Sequence, residues 1–135
     1  MTKMWEVSHI THNKQGWIAE VNANESIEEL EAYHPAERIL TDSKRCSFIY
    51  VMEDEEQFNY LLFPINTWET IQNGIEEKEP MYLKWVSNSN EEKVVKLGQF
   101  WEELDYLLEN IRGNGNYGNE MVEAVERVFF AHHHE

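Results

Sequence analysis

The chain opens with an alternation of period two. Trp5, Val7 and His9 occupy every second position against Glu6 and Ser8, and Trp17, Ala19 and Val21 repeat the rhythm against Ile18 and Glu20. That period sets one row of side chains on each face of a strand. "MWEVSHITHNKQGWIAEVN" therefore predicts two short strands, joined at "HNKQG" by a glycine able to take the positive φ of a longer hairpin loop. "NESIEELEAYHP" changes to helical spacing. Ser26 with Glu29 three positions on is a capping box and Pro35 forbids continuation, which predicts a helix of about two turns. "AERILTD" predicts a further strand and "DSKR" a turn.

From residue 46 the pattern sharpens. "CSFIYVM" and "QFNYLLF" are rich in β-branched and aromatic residues and flank the acidic "EDEE", which predicts a hairpin. "INTWETIQNGIEEKE" puts Trp68, Ile71 and Ile75 at helical spacing, with Asn66 placed to cap and Pro80 as the stop. "MYLKWVS" and "EKVVKLG" predict a second hairpin across "NSNEE". "QFWEELDYLLENIR" aligns Trp101, Leu104, Leu108 and Ile111 on one face, with Leu107 beside them and carboxylates opposite. A last helix, "NEMVEAVERVFF", turns Met121 or Val122, Val125, Val128 and Phe129 inward.

Hairpin followed by helix thus occurs twice. At a fixed offset "WETI" at 68–71 falls on "WEEL" at 101–104, Asn66 on Gln99 and Ile75 on Leu108. Two amphipathic helices of one face also resemble each other by chance, so a ββα pseudo-repeat is an expectation about packing. The order of elements predicts an α+β fold: a largely antiparallel sheet from an N-terminal hairpin and two ββα units, plus a C-terminal helix. A single domain is expected over 1–130, with a flexible His-containing tail at 131–135.

Composition changes the picture in three ways. The 135 residues are 41% hydrophobic and include seventeen Phe, Tyr or Trp, enough for a core despite a charged fraction of 27%. The net charge is −15, spread as −7 over residues 1–67 and −8 over 68–135. So even an acidity repels phosphate backbones and anionic membrane surfaces, which need clustered Lys and Arg. No nucleic-acid or membrane partner is expected. Cys46 is the only cysteine, which excludes an internal disulfide and, at the start of an apolar run, predicts an inert thiol. "MTKMWEVSHI" lacks the apolar core of a secretory leader, and no apolar run is long enough to span a bilayer, so a cytoplasmic protein is expected.

Candidate chemistry is sparse. Gly113, Gly115 and Gly118 match the G-x-G-x-x-G spacing, but a helix precedes them where a dinucleotide loop needs a strand, and no lysine lies nearby. Helix punctuation explains them better: Gly113 left-handed after Arg112, Asn119 capping the next helix, Glu120 at its positive end. His132, His133 and His134 are adjacent and do not converge on a metal, while His9, His12 and His34 lack zinc-ligand spacing. "EDEE" lacks the spacing of a calcium loop, and no serine stands in a G-x-S-x-G or S-x-x-K context. No catalytic, cofactor or metal residue is assigned. The tryptophans at 68 and 101, on apolar helical faces, read as core. Trp5 and Trp17, on the first hairpin, are candidates for exposure, and Asn114, Asn116 and Tyr117 exceed what a minimal turn requires. These five make up the candidate contact surface.

Three stretches together, "ILTDSKRCSFIYVMEDEEQFNYLLFP", "MYLKWV" and "FWEELDYLLENIRGNGNYGNEMVEAVERVF", resemble an uncharacterised family of short acidic cytoplasmic proteins from Gram-positive bacteria of the bacillus group. The likeness spans about residues 38–130, and its most specific parts are the L-T-D-S turn and the E-N-I-x-G-N-x-N-Y-G loop. It implies a bacterial cytoplasmic setting and carries no catalytic residue across, since the family has no assigned activity.

The function expected is non-enzymatic binding of a protein or a small apolar ligand. A small enzyme with an unmarked site among His9, His34 and the carboxylates is the alternative, and an acidic nucleic-acid mimic that occupies a basic protein is a second. Oligomeric state, a dimer included, is left open. An exposed aromatic patch would favour the binder; convergent titratable groups in a cleft would favour the enzyme.

Overall fold

The alternating segments form strands that divide between two sheets. The computed structural model describes residues 2–131. In chain order the strands are β1 (Met4–Glu6), β2 (His9–Asn13), β3 (Gly16–Asn22), β4 (His34–Asp42), β5 (Ser47–Glu53), β6 (Phe58–Pro64), β7 (Met81–Val86) and β8 (Glu92–Lys96). The helices are α1 (Ile27–Leu30), α2 (Trp68–Gly74), α3 (Phe100–Ile111) and α4 (Asn119–Val125), the last running on as a π turn over Glu126–Phe130. The class is α+β, as the pattern predicts, with one sheet ordered β1-β6-β5-β4 and the other β2-β3-β7-β8.

The division corrects the expectation of one sheet and a simple first hairpin. The period-two run from Trp5 to His9 breaks at Val7 and Ser8. β1 goes to the first sheet, parallel to β6 with Trp5 opposite Leu61, while β2 and β3 form the hairpin of the second sheet. β3 then lies parallel to β7, with Ala19 opposite Leu83. All other pairings are antiparallel. The two hairpins that precede helices accept their parallel neighbours differently: β1 joins the second strand of β5–β6, whereas β3 joins the first strand of β7–β8. The hairpin-then-helix order occurs twice without a strand-for-strand equivalence of the sheets.

Local chemistry accounts for most boundaries. Ser26 caps α1, its side chain accepting from the Glu29 amide, but the helix lasts one turn before the chain enters β4 at His34. β4 tolerates Pro35 because it is an edge strand, and it bulges between Pro35 and Ile39, where Glu37 takes φ +59. Asn66 does not cap α2. A 3-10 turn over Ile65–Thr67 comes first, pinned by the Thr67 hydroxyl donating to the Pro64 carbonyl at 2.7 Å. Gly113 closes α3 at φ +67 as expected. Asn119, expected as the cap of α4, is its first helical residue; Gly118 precedes it at φ +90 and no side chain caps this end. The π turn rotates the end of the last helix, burying Phe129 and Phe130 together and leaving Val128 half-covered where 3.6-residue spacing points it inward.

One main core collects the inward rows of both sheets and the apolar faces of the helices: Trp5, Phe48, Tyr50, Leu61 and Phe63 from the first sheet, Ala19, Leu83 and Trp85 from the second, and Trp68, Leu104, Leu108 and Phe129 from the helices. Trp5 meets Trp85 edge to face at 4.7 Å between ring centroids, so the first sheet touches the second through its shortest strand. Phe48 stacks on Trp68 at 4.5 Å. Each such fully buried ring contributes several kcal/mol when compared with its truncation to alanine, on the order of 3–5. The expectation of a tail at 131–135 falls almost wholly outside the described residues, and so do His132, His133 and His134.

Candidate functional site

The loop after α3 is built chiefly from its own side chains. Gly113 donates its amide to Glu126 Oε2 at 2.8 Å. Asn114 accepts from the Asn116 amide at 3.0 Å and donates to the Asn110 carbonyl at 3.3 Å, folding the chain into a single 3-10 turn. The Ser43 hydroxyl donates to the Tyr117 carbonyl at 2.6 Å, while the Tyr117 ring packs half-buried against the core. The two most specific motifs of the chain, the L-T-D-S turn and the N-Y-G loop, are therefore one joint. Asn114 and Tyr117 are engaged within the fold, and Asn116 alone offers a side chain to solvent without a hydrogen bond among the described residues.

The two remaining candidates separate. Trp5 is 6% exposed and donates its indole N–H to Glu25 Oε1 at 3.1 Å, which makes it a core residue. Trp17 is half-buried on the second sheet, beneath the His12 ring at 4.3 Å and against Gly74. Asn114, Asn116, Tyr117, Trp5 and Trp17 thus occupy three separate elements and form no joint surface.

Titratable groups do not converge either. His9 faces Glu20 at 3.8 Å on the second sheet, His12 contacts Glu79, and His34 stands at the start of β4 in the first sheet. Burial pushes the Cys46 thiol up, as an inert cysteine requires. Among the described residues no group of three or more His, Cys, Asp or Glu could hold a metal ion. A cleft of about 540 Å³ runs along the junction of the β4 bulge with the β8–α3 connection, between Glu37, Lys96 and Gln99 and over Met81, Phe100 and Trp101. Two hydrogen bonds cross beside it: Tyr50 donates to the Gly98 carbonyl at 2.6 Å and Trp101 Nε1 to the Glu79 carbonyl at 2.6 Å. Burial, and behind it the Glu37 carboxylate, pushes the Tyr50 phenol up. These bonds make the cleft a seam between the sheets.

What distinguishes the molecule is the pair of sheet faces turned away from the core. The outward row of the second sheet carries an ionic ladder beside Ile18, Tyr82 and a Val94 that is 53% exposed. Lys84 pairs with Glu20 at 3.1 Å and with Glu92 at 3.6 Å, and those bonds hold its ammonium above the usual lysine range. The outward row of the first sheet follows by register from Ile49, opposite Leu40 on one side and Leu62 on the other, and from Tyr60, opposite Val51 and Met4. Ile49, Val51 and Leu62 form a cluster separate from the main core, with Ala36 and Tyr60 against it and no helical residue among them. Around this floor Met4 is 45% exposed, Leu40 38% and Phe58 47%. Arg38 lies over the Phe58 ring at 5.8 Å from its centroid. The β5–β6 turn adds Asp54, Glu55 and Glu56 beside Glu53 at one end of the face, around a hollow of about 650 Å³ that also borders His34.

Sequence reasoning missed this face, although the signal was present. A half-solvated strand reads apolar-polar, as β7 does with Tyr82 and Lys84 between Met81, Leu83 and Trp85; β5 reads "SFIYVM" with no polar outward position between Ser47 and Glu53. The described residues contain no helix long and apolar enough to cross a membrane.

Known proteins place the chain among relatives of similar length. A UPF0738 protein of Halalkalibacterium halodurans is 41% identical over 102 residues, covering 76% of this chain and 78% of the relative. A second, from Geobacillus kaustophilus, is 34% identical over 130 residues, or 96% of this chain and 98% of its own. A third, from Shouchella clausii, is 35% identical over 127 residues, covering 94% and 99%. No solved structure matches the chain. The profile of a family of unknown function, UPF0738, matches residues 5–129, from Trp5 at the start of the first sheet to Phe129 in the π turn, and the chain belongs to that family.

Proposed function

We propose that this protein acts by binding rather than by catalysis, as a small acidic interaction protein of the bacterial cytoplasm, and that it takes another protein on the open face of the β1-β6-β5-β4 sheet. The observation that carries the reading is the contrast between the two outward faces of one molecule. If an open sheet needed only to be wetted, the Glu20–Lys84–Glu92 pairing of the second sheet shows how this chain does it. The first sheet instead sets three exposed apolar side chains, Met4, Leu40 and Phe58, around the close-packed Ile49, Val51 and Leu62, and apolar side chains gathered on one face support an interaction site. A flat, four-stranded surface suits a macromolecular partner better than a small ligand, which needs enclosure. A net charge of −15 disfavours nucleic acid and a second copy as occupants. The enzymatic alternative gains nothing from the geometry, with His9 and His34 on different sheets.

The test uses the full chain, tagged and produced in its native host, beside a Leu40→Asp/Phe58→Asp variant. A protein retained by the wild type and lost by the variant, which after purification binds the wild type and slows amide exchange in β5 and β6, supports the reading. Identical retention by both chains, or unchanged exchange on the face, overturns it.

A further inference from the structure

We infer that the occupant of the open face is a basic protein whose apolar contact surface is bordered by Lys or Arg side chains; this rests on the reading of that face as a docking surface. The face is apolar in the middle and acidic at its margin. Glu6, on β1, faces outward beside Leu62, and Glu53 faces outward beside Phe58. The turn that follows Glu53 carries three more carboxylates. Of these, Asp54 is occupied, accepting from the amides of Glu56 and Gln57 at 2.8 and 2.9 Å, bonds that hold its carboxyl below the usual range. Glu53, Glu55 and Glu56 are exposed and make no ion pair among the described residues.

The cations near the face are outnumbered by its carboxylates Glu6, Glu53, Glu55 and Glu56. Arg38 covers the Phe58 ring, and Arg45 holds Asp42 at 2.6 Å. The margin therefore has negative charge to offer and little positive charge to give. A second copy brings another −15 and another acidic margin to the same interface. A partner ringed by Lys or Arg meets complementary charge at the rim while its apolar centre covers Leu40, Phe58 and the floor between them. Such charge steers encounter and selects the partner, and the apolar centre holds the complex once formed.

Two synthetic probes test this on the isotope-labelled full chain by amide chemical-shift mapping. Both are amphipathic helical peptides of about fourteen residues, near the length at which an isolated helix becomes marginal, with leucines on one face and either lysines or glutamates on the other. The lysine peptide is expected to shift amides of β4, β5 and β6 around Leu40, Ile49, Val51 and Leu62. Its affinity should fall about tenfold or more between about 50 and 500 mM NaCl, as the Debye length shortens through roughly 10 Å. A Glu53→Gln/Glu55→Gln/Glu56→Gln chain, altered only at exposed positions, should bind it several-fold more weakly.

Equal binding of the glutamate peptide would overturn the basic partner while leaving the docking face in place. Lysine-peptide shifts confined to the acidic side of α3 would overturn it as simple charge attraction. Sedimentation as a dimer with the face amides protected would overturn it in favour of a second copy. If neither peptide touches the face and the Leu40→Asp/Phe58→Asp chain retains the same host proteins as the wild type, the docking reading falls as well.

Discussion

Glu25 holds the two sheets together, and its removal should be felt in proportion. It lies between β3 and α1 and is 8% exposed. Its Oε1 accepts from Trp5 Nε1 at 3.1 Å and its Oε2 meets Lys3 Nζ at 3.1 Å, both partners belonging to the segment that feeds the first sheet. Its backbone carbonyl accepts the Asn88 amide at 2.9 Å, which belongs to the β7–β8 connection of the second sheet. Glu25→Ala strips the acceptor that Trp5 has among the described residues from a buried indole N–H, a loss of about 1–3 kcal/mol. The Lys3 pair is screened by solvent on the lysine side and adds little. A loss of about 1–3 kcal/mol corresponds to a fall in Tm of about 3–15 °C for a chain of this size. Glu25→Gln keeps an acceptor for Trp5 and should lose no more than about 1 kcal/mol.

The pH dependence carries a sign. Burial pushes the Glu25 carboxyl up, but the bonds from Trp5 and Lys3 outweigh it and the net shift is downward. A carboxyl depressed in the folded state contributes stability that is present above its unfolded pKa of about 4.3 and is lost as pH falls through the lower folded value. The gap between wild type and Glu25→Gln should therefore be open at neutral pH and close as the solution is acidified below about pH 4. Thermal unfolding followed by near-ultraviolet circular dichroism, with Trp5 packed on Trp85 as a reporter, measures both quantities. Glu25→Ala within about 0.5 kcal/mol of wild type at pH 7, or a Glu25→Gln gap that is the same at acid and neutral pH, would refute the reasoning.

Phe58, 47% exposed, leaves roughly 90 Å² of ring for a partner, about 2 kcal/mol of docking, so Phe58→Ser should weaken a captured partner about thirtyfold while moving chain stability by under about 1 kcal/mol. Leu62→Ala, on the floor at 4% exposure, should instead cost about 2–4 kcal/mol of folding stability, measured by urea unfolding. Gly113→Ala places a side chain in the left-handed region with open space around it and should lose about 1–2 kcal/mol through the backbone alone, whereas Gly115→Ala, also in open space but at negative φ, should stay within about 0.5 kcal/mol. Tyr50, its phenol pushed up by burial, should remain protonated in an ultraviolet pH titration carried past the ordinary phenol range. Its contribution is full below the unfolded pKa of about 10 and is lost as pH rises beyond it, so ionisation of Tyr50 should coincide with unfolding.

Local rules carried the reading wherever contacts are local. The β5–β6 and β7–β8 hairpins, the apolar stripe of α3, the Ser26 cap and the left-handed Gly113 follow from neighbours a few positions apart. Parallel pairing escaped because nothing near Met4 encodes Tyr60, nor anything near Trp17 Met81. The cap at Asn66 failed because Pro64 and Thr67 organise a 3-10 turn ahead of α2. The five proposed contact residues were drawn from aromatic content and loop excess, which do not tell a core ring such as Trp5 from a surface one such as Phe58; that needs the second sheet in place. The open face is invisible residue by residue, since Ile49 and Val51 are as apolar as Phe48 and Tyr50, and only register says which row looks outward.

The parallel strand β1 also sets a timetable. Lys3 and its hydrogen-bond partner Asn59 are 56 positions apart. At ribosomal speeds of about 5–20 residues per second, the segment around Trp5 exists for several seconds or more before its β6 bed has been synthesised. The β2–β3 hairpin can close on itself at once, whereas β1 waits with a tryptophan and a methionine in water. The strand that seats the first sheet against the second thus stays unpaired while the β2–β3 hairpin beside it is already closed, and β3 in turn waits for β7.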